Sequence, residues 1–409
     1  MLFSFALPLA VGAVGIILLF NFRFFIFRHP LKIMGEIASG LRDKSSRRSF
    51  FLALAGTLGV GNIFGVSAGI MIGGAGVVLW IFLSSILSAI IKYAEVLLVF
   101  KHRTEGGMAE VIGRALPLGA MLSPLYAGLT LLLSFFMGGA LQFAALVDVA
   151  QSSTGITPCI TTVFLVALLI PALVGGVEKI ERITEKLIPL TTIIYIMMCF
   201  AVIILRFDRL SATLSDIVSS ALSPRALLGG GGAIAIKEGF SRGIMSNEAG
   251  SGTSALAHAR NMDRTPHLAG LFGICEVLFD TAILCTLTGL AILLSCPDTS
   301  GYSSPMALVF SAFNSTLGDI SGLLLPIILC FAYSTVICWF YYGQVYCDAY
   351  FGGQGRLYLM GFISVILLTP LIPTLPLIYL TDFILLLMTL LTLSAIIMES
   401  GKIKNELPL

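Results

Sequence analysis

The feature that most constrains this chain is a series of long apolar segments separated by short polar connections. A membrane-spanning helix needs about 20 mostly apolar residues, and eleven segments approach or exceed that length. Only 11% of the 409 residues are charged and mean hydropathy is +1.00, which excludes a disordered protein, a nucleic-acid-binding protein and an ordinary soluble enzyme. We therefore predict an all-α membrane protein with eleven transmembrane helices, at approximately residues 5–27, 50–72, 77–100, 118–147, 160–177, 187–206, 227–257, 268–294, 319–345, 356–373 and 376–398.

The basic residues predict the orientation of these helices. In an eleven-span arrangement, 17 Lys and Arg residues fall in connections on one side, whereas the other side holds only Arg206, Arg209 and Arg225. Because basic residues accumulate in cytoplasmic loops, we expect a multi-pass protein of a prokaryotic plasma membrane, with its N-terminus outside and its C-terminus in the cytoplasm. The connection at 295–318 is long enough for a short re-entrant or surface helix.

Two of the predicted spans differ in composition from the rest. The second has glycines at 56, 59, 61 and 65 around Asn62, and the seventh has glycines between 239 and 252 around Ser246, Asn247 and Glu248. Some of these glycines suit close helix packing, but packing does not explain the polar side chains. Clustered glycines weaken a helix, and unwound backbone within a membrane lines a cavity or lies buried in protein. We therefore predict two discontinuous helices that form a binding site.

The two glycine-rich spans lie five spans apart, which indicates an internal repeat. Halves with five spans each must be inverted relative to one another, an arrangement typical of secondary transporters. The predicted organisation is an extra N-terminal helix and basic cytoplasmic loop at 1–49, a first inverted repeat at 50–206, an extracellular connection at 207–226, a second inverted repeat at 227–398 and a cytoplasmic tail at 399–409.

Ionisable residues inside spans are costly in lipid and usually face a cavity or a partner. We expect Lys92 and Glu95 to form a structural ion pair, and either Arg242 or Glu248 to pair with Asp280. Further candidates are Lys237, Glu238, Glu276 and Asp382, whereas the four histidines (His29, His102, His258 and His267) fall in polar connections and argue against a histidine proton relay. Because the chain has no Walker A or HExxH string, energy for transport would come from an ion gradient or a partner subunit.

At these residues the chain resembles the alanine or glycine:cation symporter family, also called the sodium:alanine symporters. The resemblance spans about 49–352, and its most specific motif is Phe240-Ser-Arg-Gly-Ile-Met-Ser-Asn-Glu-Ala-Gly-Ser-Gly-Thr-Ser-Ala255. Other matching blocks are Gly59-Val-Gly-Asn-Ile-Phe-Gly-Val66, Asp280-Thr-Ala-Ile-Leu-Cys-Thr-Leu-Thr-Gly-Leu290 and Phe331-Ala-Tyr-Ser-Thr335. The resemblance implies a LeuT-type fold with one extra N-terminal helix. It also implies sodium-coupled, less often proton-coupled, import of a small neutral amino acid, mainly alanine or glycine, with no organic cofactor and no obligatory partner chain.

The resemblance also implies roles for individual residues. Backbone N–H groups near Val60, Gly61 and Asn62 would meet the substrate carboxylate, carbonyls near Gly243, Ile244, Met245 and Ser246 would meet its ammonium group, and Gln142 would line the pocket. Asn62 and the Thr57 carbonyl would bind one sodium ion. The Ala55 and Leu58 carbonyls with the Ser334 and Thr335 hydroxyls would bind a second, unless those hydroxyls only bond back to their own helix. Arg242, Asn247, Glu248, Glu276 and Asp280 are candidates for gating or coupling.

The chain departs from the family pattern at five positions near the predicted site. Families of this type usually have threonine where this chain has Val60, proline where it has Ala75, asparagine where it has Gly139 and Ala144, and glutamate where it has Gln344. These departures leave open a different neutral amino acid, such as glutamine, and coupling to protons instead of sodium.

Overall fold

A computed structural model describes residues 3–104, 106–222, 231–299, 301–372 and 374–407. All regular structure in these ranges is helical. The helices are α1 (Phe3–Asn21), α2 (Phe25–Arg28), α3 (Pro30–Gly40), α4 (Lys44–Thr57), α5 (Val66–Gly73), α6 (Val77–His102), α7 (Gly107–Ala115), α8 (Gly119–Leu133), α9 (Gln142–Thr154), α10 (Pro158–Val174), α11 (Gly176–Leu205), α12 (Phe207–Leu222), α13 (Gly231–Asn247), α14 (Ala255–His258), α15 (Pro266–Val277), α16 (Thr286–Ser295), α17 (Pro305–Leu317), α18 (Ser321–Tyr350), α19 (Gly355–Leu367) and α20 (Thr374–Lys404).

The lengths of these helices suit a membrane. Among the described residues, six uninterrupted helical stretches are long and apolar enough to cross it, and α4 with the helix that follows its break makes a seventh if the pair, bent by 47°, counts as one span. Three shorter apolar helices, at Phe5–Asn21, Pro158–Val174 and Gly355–Leu367, coincide with the first, fifth and tenth predicted spans. Helix α17 lies in the connection where a short helix was expected, and α12 occupies most of the connection predicted at 207–226. The start of the seventh predicted span, 227–230, lies outside the described residues.

The first glycine-rich segment interrupts a helix, as the sequence predicts. Asp43 caps the start of α4, because its carboxylate accepts the Ser46 N–H at 2.7 Å. This hydrogen bond holds the pKa of the Asp43 carboxyl below its usual range. The helix ends at Thr57, because Leu58 leaves the helical region with φ −73° and ψ 71°. The chain resumes as a π-helical turn at Gly61–Gly65 and continues into α5.

The second glycine-rich segment also interrupts a helix. Helix α13 ends at Asn247, residues 248–254 are irregular, and α14 begins at Ala255. Gly250 and Gly252 have φ +93° and +77°, conformations that glycine adopts without strain. Glu248 has φ +53°, which is costly for a residue with a side chain.

Helix α6 lies in the core of the bundle and supports the second interruption. It packs most extensively against α13 and α15. Small residues permit these close contacts: an added Cβ at Gly270 of α15 would lie 2.7 Å from the Tyr93 ring, and one at Gly243 of α13 would collide with Ser84. The second interrupted helix is therefore held against a continuous helix, and Glu95 of that helix accepts bonds from backbone N–H groups where the chain unwinds.

Candidate functional site

A cavity opens where the two interrupted helices meet. Its volume is about 120 Å³, comparable to cavities that hold a benzene-sized molecule. The first interruption and the last turns of α13 contribute, together with the π-helical turn at Ser134–Leu141, α9 and the start of α20. The lining residues are Val60, Gly61, Phe64, Gly65, Met137, Leu141, Gln142, Ala145, Asp148, Arg242, Met245, Ser246 and Ile378. A mostly apolar cavity with a few convergent polar groups is typical of a small-molecule site.

The buried carboxylate of Asp280 joins the two interrupted helices beside this cavity. Asn62 donates from its Nδ2 to Asp280 Oδ1, and Ser246 donates from its Oγ to Oδ2 at 2.7 Å. Thr281 also donates to Oδ2, at 2.7 Å. Asp280 is fully buried and lies in a π-helical turn between α15 and α16. One side chain on a continuous stretch of helix thus fixes the distance between the two breaks.

The backbone at the first interruption faces the cavity. Gln142 accepts the Val60 N–H through Oε1 at 3.2 Å, and Asn62 accepts the Gly59 N–H through Oδ1 at 3.2 Å. Gly61 is exposed although the residues on either side of it are buried, because its backbone opens onto the cavity. This geometry places N–H groups at the start of a helical segment next to a space that fits a small anion-bearing ligand.

The carbonyl groups before the break face α18. Thr335 Oγ1 lies within hydrogen-bond distance of the Ala55 and Leu58 carbonyls at 3.0 and 3.3 Å and of the Phe331 carbonyl of its own helix at 3.1 Å, and its single proton is shared among them. The Ser334 hydroxyl bonds back to Phe331 at 2.8 Å, and the Thr57 carbonyl accepts the Gly59 N–H at 2.8 Å. The structure therefore brings Ala55, Leu58 and Thr335 together as the resemblance implies, whereas the Ser334 hydroxyl contacts its own helix.

Residues Gly243 to Ser246 lie in the last turns of α13 and not in the unwound segment. Met245 and Ser246 line the cavity. Gly243 and Ile244 are buried against other parts of the protein, and the Ile244 carbonyl accepts the Glu248 N–H at 2.8 Å. Asn247 donates from its Nδ2 to Thr281 at 3.0 Å, which adds a second bond between α13 and the Asp280 turn.

The unwound segment after α13 is held by charged groups that lie away from the cavity. Glu95 of α6 accepts the Gly250 and Gly252 N–H groups at 2.5 and 3.2 Å. Lys92 Nζ lies 3.6 Å from Glu95 and 3.8 Å from Glu276, and it donates to Ser254 at 2.9 Å. The predicted Lys92–Glu95 ion pair is confirmed, and Glu95 also caps backbone groups that the interruption leaves without helical partners.

The predicted pairing of Asp280 with Arg242 or Glu248 is wrong. Arg242 pairs with Glu238 at 3.0 Å, and Glu248 accepts the Thr253 hydroxyl at 2.6 Å, so neither pairs with Asp280. The left-handed conformation of Glu248 turns its side chain away from the cavity side of α13. His258 lies in the connection between α13 and α15, as predicted, but it is fully buried there, with Nε2 2.9 Å from Glu276.

Several cavity residues were not predicted from the sequence. Phe64, Met137, Leu141 and Ile378 have no distinguishing pattern within apolar segments. Asp148 could have been found, because it follows Gln142 and Ala145 at three-residue intervals on one helix face, but the predicted span ended at 147.

Among the five departures from the family pattern, Val60 lines the cavity. The other four, which are all described residues, do not contribute to its wall: Ala75, Gly139, Ala144 and Gln344. Only the Val60 departure therefore bears directly on how a ligand would fit this cavity.

Comparison with known proteins gives matches to one family of transport proteins. Residues 1–408 match the model of the sodium:alanine symporter family. The sodium/alanine symporter AgcS of Methanococcus maripaludis is 30% identical over 79% of this chain and 74% of its own length. Two proteins of Bacillus subtilis are each 28% identical. The match to the probable sodium/glutamine symporter GlnT covers 80% of this chain and 73% of GlnT. The match to the putative sodium/proton-dependent alanine carrier protein YrbD covers 79% of this chain and 71% of YrbD.

Solved structures resemble the fold as a whole. MhsT in complex with L-phenylalanine superposes with a TM-score of 0.61 at 17% identity, covering 87% of this chain and 88% of MhsT. The likeness identifies a LeuT-type fold, as the sequence predicts.

The Asp280 contacts predict a large effect on stability. Replacing Asp280 with alanine leaves the buried Asn62 amide and Ser246 hydroxyl without their acceptor, and each such loss costs about 1–3 kcal/mol. We expect thermal unfolding of the detergent-solubilised protein at clearly lower temperature for Asp280→Ala. The exposed Asp208 of α12 provides the control: Asp208→Ala should leave the midpoint nearly unchanged. Equal midpoints for both variants would contradict the bridging role.

Proposed function

Because the chain belongs to the sodium:alanine symporter family, we propose that it imports a small neutral amino acid, alanine or glycine, by sodium-coupled symport and alternating access. Members of this family are membrane transport proteins, so the chain is a transporter and not an enzyme. Sodium is the proposed co-transported ion. The observation that supports it most is the cavity between two interrupted helices, with Asp280 joining them.

The proposed substrate position follows from the chemistry of the cavity wall. The amino-acid carboxylate would lie against the backbone N–H groups around Gly61, at the positive end of the helical segment that follows. Its ammonium group would lie toward Met245 and Ser246 at the end of α13, where helix carbonyls carry partial negative charge. The mostly apolar wall suits the side chain of alanine or glycine better than the amide of glutamine.

The proposed sodium sites use oxygen ligands, which hard cations prefer. One site comprises Asn62 Oδ1 and the Thr57 carbonyl, which both accept the Gly59 N–H and so lie on the same side of the break. The other comprises the Ala55 and Leu58 carbonyls with the Thr335 and Ser334 hydroxyls. The first three of these already share hydrogen bonds of 3.0–3.3 Å.

A proton in place of sodium is the second candidate, and the buried charges support it. Four carboxyl groups in this region are at most 2% exposed: Glu95, Glu248, Glu276 and Asp280. Lys92 is a fully buried cation beside them. Burying a charged carboxylate without a matching cation is very costly. An excess of buried carboxyl groups therefore suits a protein that takes up and releases a cation, either sodium or a proton.

The proposed topology has eleven transmembrane helices: the first, α1, precedes two inverted five-helix repeats at 50–206 and 227–398. The fold match to MhsT and the positions of the two interruptions, five spans apart, support this arrangement. The N-terminus would lie outside and the C-terminus in the cytoplasm of the plasma membrane.

The function is tested by uptake of radiolabelled alanine into proteoliposomes. Three conditions are compared: an imposed sodium gradient, an imposed proton gradient and no gradient. We expect accumulation above equilibrium with sodium alone. Accumulation with protons alone would support the second candidate, and accumulation of glutamine but not alanine would change the substrate. No accumulation of any neutral amino acid under either gradient would contradict the proposal.

Sodium dependence of uptake tests the second ion site. Thr335→Val and Ser334→Ala each remove one proposed oxygen ligand, and losing a hydrogen-bonding partner of a charge costs about 1.5–3 kcal/mol. We expect the sodium concentration for half-maximal uptake to rise by about tenfold or more. Thr191→Val is the control, since the Thr191 hydroxyl bonds only to carbonyls of its own helix at 2.8 and 3.2 Å. If the Ser334 hydroxyl bonds only to its own helix, Thr335→Val alone will raise the sodium concentration for half-maximal uptake. If neither variant raises it, the proposed second sodium site is wrong.

Substitution of Gly61 tests the proposed substrate position. A Cβ at Gly61 has no protein atom within 4 Å, so Gly61→Ala should fold normally and add a methyl group to the cavity wall. We expect the KM for alanine to rise by about tenfold or more, because overpacking costs about 1–3 kcal/mol. Gly35→Ala, equally free of neighbours in α3, should leave the KM unchanged. An unchanged KM in Gly61→Ala would place the substrate elsewhere.

A further inference from the structure

A second cavity, apart from the one described above, lies between α4 and α11. It is an open groove of about 580 Å³ that shares no lining residue with the first cavity. The first half of α4 forms one wall and the first half of α11 the other. Its lining residues are Lys44, Arg47, Arg48, Phe51, Arg182, Glu185, Lys186 and Pro189.

The groove is strongly cationic, with five basic side chains and one carboxylate. Arg47 and Arg48 donate to separate oxygens of Glu185 at 3.1 and 2.7 Å. Within the part of the chain that the structure describes, Lys44, Arg182 and Lys186 form no ion pair. Three unpaired cations around one concave surface attract an anion, and arginine presents a fork of N–H donors that matches phosphate oxygens.

The groove continues into an apolar track on α11. Leu190, Ile193 and Met197 are 59%, 57% and 57% exposed. They follow Lys186 at intervals of four, three and four residues, so all four side chains share one helix face. Phe51 and Pro189 form the apolar part of the groove where this track begins. The surface therefore has a cationic end and a long apolar extension along a spanning helix.

We propose that this groove binds the headgroup of an anionic phospholipid, with an acyl chain along Leu190, Ile193 and Met197. The phosphodiester would neutralise Lys44, Arg182 and Lys186 while the chain covers the apolar track. Basic pockets between spanning helices suit such headgroups. A soluble phosphate would satisfy the cations but leave the apolar track unused, which favours a lipid as the occupant.

Binding there would connect α4, the helix that precedes the first interruption, with α11. Helix α4 leads to the break at Leu58, whereas α11 is continuous through the bundle. A headgroup that contacts Lys44 on one and Lys186 on the other adds to the link that Arg47, Arg48 and Glu185 already make. The lipid would thereby restrain the α4 half of the interrupted helix.

The proposal is tested with the purified full chain in a neutral detergent. Binding of dioleoylphosphatidylglycerol and dioleoylphosphatidylcholine is measured by native mass spectrometry. We expect the anionic lipid to bind at least about tenfold more tightly to the unmodified chain. Each basic residue near a membrane surface contributes about 1 kcal/mol, so Lys44→Gln, Arg182→Gln and Lys186→Gln combined should weaken its binding about 10- to 100-fold.

The matched control removes the same charge from exposed residues outside the groove: Arg28→Gln, Lys32→Gln and Lys404→Gln combined. It should bind the anionic lipid as the unmodified chain does. Equal loss in both triple variants would mean that net charge alone attracts the lipid, and displacement by inorganic phosphate would identify a soluble anion as the ligand. Either result overturns the proposal. So does equal binding of both lipids by the unmodified chain, a comparison that needs no variant to fold.

Discussion

The buried carboxylate of Asp280 is the contact on which the architecture of the site depends. An interrupted helix inside a membrane has backbone groups that water cannot satisfy, and two interruptions side by side need a fixed spacing to enclose a cavity. Asp280 supplies that spacing, because its two oxygens accept from Asn62 on one interrupted helix and from Ser246 on the other. The carboxylate lies behind the cavity wall and not in it, so it positions the wall without occupying the space.

Irregular helix geometry is concentrated around this contact. The π-helical turns at Gly61–Gly65, Ser134–Leu141 and Leu278–Cys285 surround the cavity or hold Asp280. π-Helical turns are rare, because they lose the regular hydrogen-bond pattern of the α-helix, and they frequently occur at functional sites. The extra residue in a π-helical turn rotates the side chains that follow it around the helix axis. Met137 and Leu141 of one turn line the cavity, and Asp280 of another faces the two interrupted helices. The same irregularity places Gln142 against the Val60 N–H.

Sequence patterns predicted the parts of this structure that depend on local composition. Clustered glycines beside Asn62 and Glu248 indicated both interruptions, because backbone freedom is a property of the residues themselves. Partners across helices were not predictable in the same way. Arg242 and Glu248 flank the second break and were expected to pair with Asp280 of the next span, but each has a nearer partner on its own stretch of chain, Glu238 and Thr253. Glu95 was recognised as a charged residue, yet its bonds to Gly250 and Gly252 required the unwound backbone to be seen.

The first interrupted helix belongs to two different packing environments on either side of its break. Before the break, the carbonyls of Leu52, Ala55 and Leu58 accept bonds from Cys338 and Thr335 of α18. After it, Asn62 bonds to the Asp280 turn. Gly61 lies between these environments and opens onto the cavity. A ligand bound there would contact the chain between two sets of buried hydrogen bonds that hold the two sides of the break to different neighbours. Any displacement of one side relative to the other would have to break some of those bonds.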